Sequence, residues 1–210
     1  MIDSYITVSH RSCKETVINK SRFIGYAAPC PTETDALSFL REIREEHSAA
    51  THHCYAYIIG ENSGIMRYSD DGEPGGTAGL PILEVIKGKN IVNCCVVVVR
   101  YFGGVLLGTG GLVRAYTQGA QLAVGAAGVS RMEMTCVETC RLPYASWDRF
   151  RYAAEHQPVQ IGRIVYEDAV CFDLLVREAD LEKVVSALQE ASGRKLEIST
   201  REKAFLPWQI

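Results

Sequence analysis

Three stretches of the chain carry side chains that could do chemistry. The first, RYFGGVLLGTGGLVRAY over residues 100–116, sets Gly103, Gly104, Gly108, Gly110 and Gly111 among Arg100, Tyr101, Thr109, Arg114 and Tyr116. Glycine gives up extra backbone freedom on folding, so this density asks for a reason. A strand that runs through a glycine loop into a helix exposes unpaired N–H groups at the helix start, and these favour an anion. Arg100 and Arg114 could flank that anion, and Tyr101 and Tyr116 could stack on bases. No Gly-Lys-Ser/Thr follows the glycines and the order is not G-x-G-x-x-G, so neither common nucleotide fingerprint is present. The other reading is close packing of helix on sheet, which composition by itself favours.

The second stretch is SDDGEPGGTAG, residues 69–79. Asp70, Asp71 and Glu73 cluster carboxylates that could hold a hard divalent cation or serve as a general base. The longer alternating ligand series of a calcium loop is missing. Ser69, Gly72, Pro74, Gly76 and Thr77 make the segment a turn by composition. The third stretch is THHCYAY, residues 51–57. On a strand, His52 and Cys54 share one face and His53 and Tyr55 the other. Histidine and cysteine are zinc ligand types, but no second pair at metal spacing follows, so a strand with a buried, hydrogen-bonded histidine is the favoured reading. No nucleophile elbow or other catalytic motif is readable, and no metal or cofactor is predicted.

The elements around these stretches follow from periodicity and turn chemistry. Residues 4–30 predict two strands, with a turn near Lys14 and a break at Asn19–Ser21. Thr32 and Asp35 cap a helix whose Ala36, Leu37, Leu40 and Ile43 line one face. His52 to Ile59 reads as a strand, paired across the ENSG turn with IMRYS. A helix around Ala78–Lys87 tolerates Pro81 in its first turn. Val92 to Tyr101 reads as a strand buried on both faces, because no polar alternation interrupts it before Arg100. Gly110 to Ala126 reads as a helix. From about Met132 the pattern restarts in the order βαββαβ, the ferredoxin-like arrangement, with the seam at Gly125–Ser130. That gives an α+β chain with domains over 1–128 and 132–210.

Bulk properties narrow the function classes. The chain has 210 residues, 47% of them hydrophobic, with a formal net charge of -3. A whole-surface basic field is excluded, so any nucleic-acid contact must be a local patch. The longest apolar run, Ile91 to Val99, is broken by Asn93 and is too short to span a bilayer, which predicts no membrane partner. The N-terminal stretch lacks the apolar core of a secretory signal. Eight cysteines without a C-x-x-C pair predict free thiols and a cytoplasmic protein.

GLPILEVIKGKNIVNCCVVVVRYFGGVLLG, residues 79–108, resembles the signature of the IMPACT / YigZ family. THHCYAY before it, SDDGEPGGTAG beside it and GTGGLVRAY after it fit the same pattern; Gly75 departs from it where a small residue such as alanine is expected. The resemblance implies an N-terminal domain like the second domain of ribosomal protein S5, a fold shared with small-molecule kinases of the galactokinase–mevalonate group. It also implies a C-terminal domain like domain V of elongation factor G. Eukaryotic members of the family regulate translation. The resemblance therefore leads one to expect a non-catalytic translation-linked protein that binds RNA or a ribosome-associated partner through residues 100–116. The alternative is an enzyme acting on a phosphorylated small molecule, with the glycines holding phosphate and Asp70, Asp71 or Glu73 as metal or base site.

Overall fold

A computed structural model describes residues 4–209. The chain forms two compact units: the first runs through Arg131 and takes back the chain from Pro207, and the second is Met132–Leu206.

The first unit opens with three strands: β1 (Ser4–Val8), β2 (Ser12–Ile18) and β3 (Ser21–Pro29). Lys14 lies inside β2, paired with Gly25, so the expected turn there is absent. The chain reverses instead at Asn19 and Lys20, both at positive φ (46° and 65°). Helix α1 (Glu33–Glu46) begins at the predicted capping box of Thr32 and Asp35. Its buried face is Ala36, Phe39, Leu40 and Ile43; Leu37, expected inward, is half exposed. Then come β4 (His52–Ile59), β5 (Ile65–Ser69), α2 (Gly79–Gly88), β6 (Cys94–Tyr101) and α3 (Gly108–Ala127).

The sheet runs in the order β2-β3-β6-β4-β5, antiparallel throughout. Strand β6 is its centre. Cys94, Val96 and Val98 face one way, toward α2 and α3, and Cys95, Val97 and Val99 face α1, with all six fully buried. A strand covered by helices on both sides needs no polar alternation, which is why the run CCVVVV is unbroken. Burying apolar surface at roughly 25 cal/mol per Å² makes this three-layer stack the main source of the unit's stability.

The second unit holds most of β7 (Val129–Leu142), then α4 (Tyr144–Ala154), β8 (Val159–Tyr166), β9 (Val170–Arg177), a 3₁₀ turn at Glu178–Asp180, α5 (Leu181–Ala191) and most of β10 (Glu197–Gln209). The βαββαβ order stands, with strands arranged β10-β7-β9-β8. Its core gathers Trp147 and Phe150 of α4, Phe172 and Leu174 of β9, and Val184 and Leu188 of α5. All eight cysteines of the chain are free, and six are buried. Among the described residues, no helix is long and apolar enough to cross a membrane.

Candidate functional site

Adjacent strands bring two of the predicted residues together. In register, Arg100 of β6 lies between Phe23 of β3 and His52 of β4. The side chain of Arg100 therefore enters the face covered by α2 and α3, and it is only 5% exposed. Its guanidinium stands 5.5 Å from the ring centre of Phe23 and 5.4 Å from that of Phe102. A buried cation needs a counter-charge, and the loop after β5 supplies one. Arg100 Nη1 donates to Glu73 Oε1 at 2.7 Å, and the Tyr116 hydroxyl of α3 donates to the same oxygen at 2.7 Å. Arg100 Nη2 reaches Ser21 Oγ at 3.4 Å, while its Nε is buried without a hydrogen-bond partner among the described residues.

This geometry corrects the expectation that residues 100–116 present Arg100 and Tyr116 to a partner. Both are interior. Tyr116 is fully buried with its ring edge-on to Phe23 at 5.3 Å, so it cannot stack on a base. Burial also pushes the Tyr116 phenol well above its usual range, which keeps the proton that it donates to Glu73. Tyr101 is half-buried: its hydroxyl meets His47 Nδ1 at 2.9 Å, and the Arg22 guanidinium covers its ring at 5.2 Å. Arg114 alone of the two arginines is exposed, with no ion pair among the described residues.

The carboxylates of the 69–79 loop do not converge. Asp70 accepts from Gly76 N at 2.8 Å, Ala78 N at 2.9 Å and Gly79 N at 2.8 Å. It thus caps α2 from eight residues upstream, where Ala78 has no side-chain oxygen to do so. Asp71 accepts from His53 N at 2.7 Å and from Arg44 at 3.2 Å, and Glu73 is committed to Arg100. Ser69 Oγ accepts from Asp71 N and the Thr77 hydroxyl donates to the Pro74 carbonyl, so the loop is internally bonded throughout. Its glycines serve that geometry: Gly72 and Gly76 sit at φ +88° and +77°. Among the described residues, no three His, Cys, Asp or Glu side chains are placed to hold a metal ion. The expected use of Asp70, Asp71 and Glu73 as one metal or base site has no shared point to act on.

Of the histidine–cysteine stretch, Cys54 is fully buried and donates its S–H to the Asp70 carbonyl at 3.0 Å. Burial raises the thiol far above its usual range, so it is not a thiolate nucleophile. His53 donates from Nε2 to the His47 carbonyl at 3.1 Å, and burial lowers its pKa, leaving it neutral at pH 7. His52 Nδ1 lies 2.8 Å from the Asp71 carbonyl, which can only accept. Nδ1 therefore donates to that carbonyl, and Nε2 stands 3.8 Å from Glu73 Oε1.

What remains open to solvent is a cleft of ≈ 370 Å³, lined by His52, Glu73, Arg100, Phe102, Leu106 and Thr109 among others. Its rim is the loop between β6 and α3. Phe102, Val105 and Leu106 are 47%, 39% and 85% exposed there. The glycines divide by cause. A Cβ on Gly103 would come within 2.0 Å of the Lys20 backbone, so packing requires it. Gly104 and Gly108 lie at φ +80° and +68° with open space above them. Gly111 is tight against Leu107 at 3.0 Å, and Gly110 meets nothing. The helix starts at Gly108, two residues before the expected Gly110, and no side chain caps it.

The Asp70 cap gives a direct test. Three amide bonds outweigh the opposing effect of burial and hold its carboxyl below the usual value of 3.8. A depressed folded-state pKa means that the stabilisation is fully present above the unfolded value, near pH 4, and fades as pH falls through the folded one. Asp70→Ala should cost about 1–2 kcal/mol at pH 7, as loss of a helix cap does, and that cost should shrink as pH falls below 4. Urea titrations at pH 7 and pH 3 check both statements; an equal loss at the two pH values would refute the charge-based account.

The Impact N-terminal domain family matches residues 19–124 and a domain of unknown function, DUF1949, matches residues 140–194. The IMPACT family member YvyE of Bacillus subtilis is 36% identical over 206 residues, 98% of this chain and 95% of that protein. The IMPACT family member YigZ of Escherichia coli is 47% identical over 109 residues, covering 51% of this chain and 53% of that protein. A crystal structure of a hypothetical protein superposes with a TM-score of 0.62 at 31% identity, over 96% of this chain and 99% of that one. With one domain match over about half its length and a relative aligned nearly end to end, the chain belongs to the IMPACT family.

Proposed function

We propose that the protein is a non-catalytic, translation-linked regulator of the cytoplasm that binds RNA or a ribosome-associated partner through residues 102–114. The role in translation is the one that the family resemblance implies. The observation that supports the contact is the loop itself. Phe102, Val105 and Leu106 turn large apolar side chains to solvent within five residues, and Arg114 further along α3 is exposed with no ion pair among the described residues. Clustered exposed apolar groups are the makings of an interaction surface, and an exposed arginine on the helix that follows can add a charged contact. The contact set is narrower than residues 100–116 as read from sequence, because Arg100 and Tyr116 hold the loop's base from within.

Co-sedimentation with ribosomal particles, with and without nuclease, tests the reading. Binding is expected to weaken with salt and to fall about tenfold in the double variant Leu106→Glu, Arg114→Glu, whose sites are both exposed, so the fold should survive. Undetectable binding at low salt, or binding equal to wild type in the double variant, would remove the site.

A further inference from the structure

We propose that the groove between α2 and α3 seats an amphipathic helix of a protein partner, with its apolar face inward and acidic side chains along its margins. The inference goes beyond the loop contact above, with which it shares only Val113 and Arg114. Strands β5 and β6 both pair antiparallel with β4, so they run the same way, and α2 and α3 each fold back from the end of one of them. The two helices therefore lie side by side and parallel on one face of the sheet. Between them is an open groove of ≈ 540 Å³. Pro81 and Val85 are buried in its floor, and Leu80 and Val113, 39% and 37% exposed, stand at its sides.

The dimensions of the groove fit a helix. Its lining runs from Leu80 to Lys89 on α2 and from Val113 to Gln121 on α3, about 12–13 Å at 1.5 Å per residue. Partner side chains at i, i+4 and i+7 span about 10 Å, so three anchors of one helix face fill it. Gly88 is a second sign of an occupant. It ends α2 without a positive φ, and a Cβ there would meet nothing within 4 Å. Neither the backbone nor the protein's own packing calls for glycine, which weakens a helix relative to alanine. The bare wall lets a partner helix approach α2 closely.

Charge selects the kind of helix. Glu84 lines the groove, but Lys87 meets its carboxylate at 2.8 Å. Lys89 lines the end away from the 102–107 loop and has no ion pair among the described residues. Arg114, equally unpaired, stands near the start of α3, one turn before Thr117 and two before Gln121, on the solvent side of that wall. The uncompensated charge along the groove is thus positive at both ends. Its complement is a helix that carries Asp or Glu beside its apolar face. The Thr117 hydroxyl and the Gln121 amide, which line the α3 wall, offer polar contacts to those margins. An apolar floor with two cations suits such a helix better than a nucleic acid, whose phosphates call for a longer run of them.

Selection of a display library of randomised peptides, about 18 residues long, on the full chain tests the groove. Enrichment of sequences with apolar residues at i, i+4 and i+7, flanked by Asp or Glu, is expected. A synthetic peptide of the enriched sequence should bind more weakly as salt rises. Gly88→Gln fills the groove from α2 and should lower the affinity of that peptide about tenfold or more, while the melting temperature holds or rises. Lys89→Glu should lower it about threefold and flatten the salt dependence. Leu106→Glu, on the loop and outside the groove lining, should leave it within about twofold of wild type. No enrichment, enrichment of basic or patternless sequences, wild-type affinity in Gly88→Gln, or equal losses in Leu106→Glu and Gly88→Gln would overturn the proposal. Displacement of the peptide by a short oligoribonucleotide would assign the groove to RNA and overturn it as well. Because Leu106→Glu removes the loop contact and Gly88→Gln the groove, failure of one surface is read apart from failure of the other.

Discussion

Arg100→Ala should destabilise the first unit by about 3–5 kcal/mol, the cost of leaving a buried charge without its partner. The residue left behind is Glu73, whose side chain is 4% exposed and would keep the Tyr116 hydroxyl at 2.7 Å and His52 Nε2 at 3.8 Å. A surface arginine offered to a partner would behave differently, since removing it costs within about 0.5 kcal/mol. The two cases are far enough apart for one denaturation curve to decide. Against a folding stability of about 5–15 kcal/mol, the loss would be large enough to populate locally open states. Hydrogen exchange at the amides of β6 reports on this unit specifically. The double variant Arg100→Met, Glu73→Leu should recover most of the loss, because removing both charges also removes their desolvation cost. A small effect of Arg100→Ala together with no rescue in the double variant would show that the pair does not hold the loop to the sheet.

That pair also marks where the sequence stops being legible. The burial of β6 on both faces is readable from CCVVVV, since only a strand covered twice dispenses with polar alternation. The start of α1 is readable from Thr32 and Asp35, whose reciprocal bonds are local. The partner of Arg100 is not: Glu73 lies 27 positions away across a loop without periodicity, and only the register of β3, β6 and β4 brings them together. The role of Asp70 is hidden for a related reason. Its carboxylate caps a helix eight positions on, while cap signatures are read at three. Tyr116 is different, because its signal is present. Leu112, Tyr116, Ala120, Ala123 and Ala127 recur at helical spacing and are all buried, so the stripe of α3 already assigns the tyrosine inward. Aromatic character argues for a contact role, but periodicity outweighs residue type on a helix packed against a sheet. The expected turn at Lys14 fails because β2 is an edge strand, where exposed polar residues such as Lys14 and Glu15 do not interrupt the pairing. The left-handed pair Asn19–Lys20 reverses the chain instead.

The glycines of the same segment make the second large prediction, and it has two signs. Gly103→Ala would place a Cβ 2.0 Å from the Lys20 carbonyl carbon, 2.1 Å from its oxygen and 2.4 Å from Ser21 N. These are backbone atoms of the β2–β3 turn and cannot rotate aside. Relief requires opening that turn, which would also strip the Ser21 hydroxyl from the Gly103 amide at 3.1 Å and from Arg100. The expected cost is about 3 kcal/mol or more, the upper range for forced overpacking. Gly110→Ala adds the same methyl group seven residues on, in open space and inside a helix. There the lower backbone entropy of alanine should raise stability by about 0.5–1 kcal/mol. Thermal denaturation of the two variants side by side reads both signs, and a loss in each would mean that the start of α3 is packed more tightly than its geometry indicates. Packing thus accounts for Gly103 but not for Gly110, which leaves helix stability unused at the one end of α3 that has no cap.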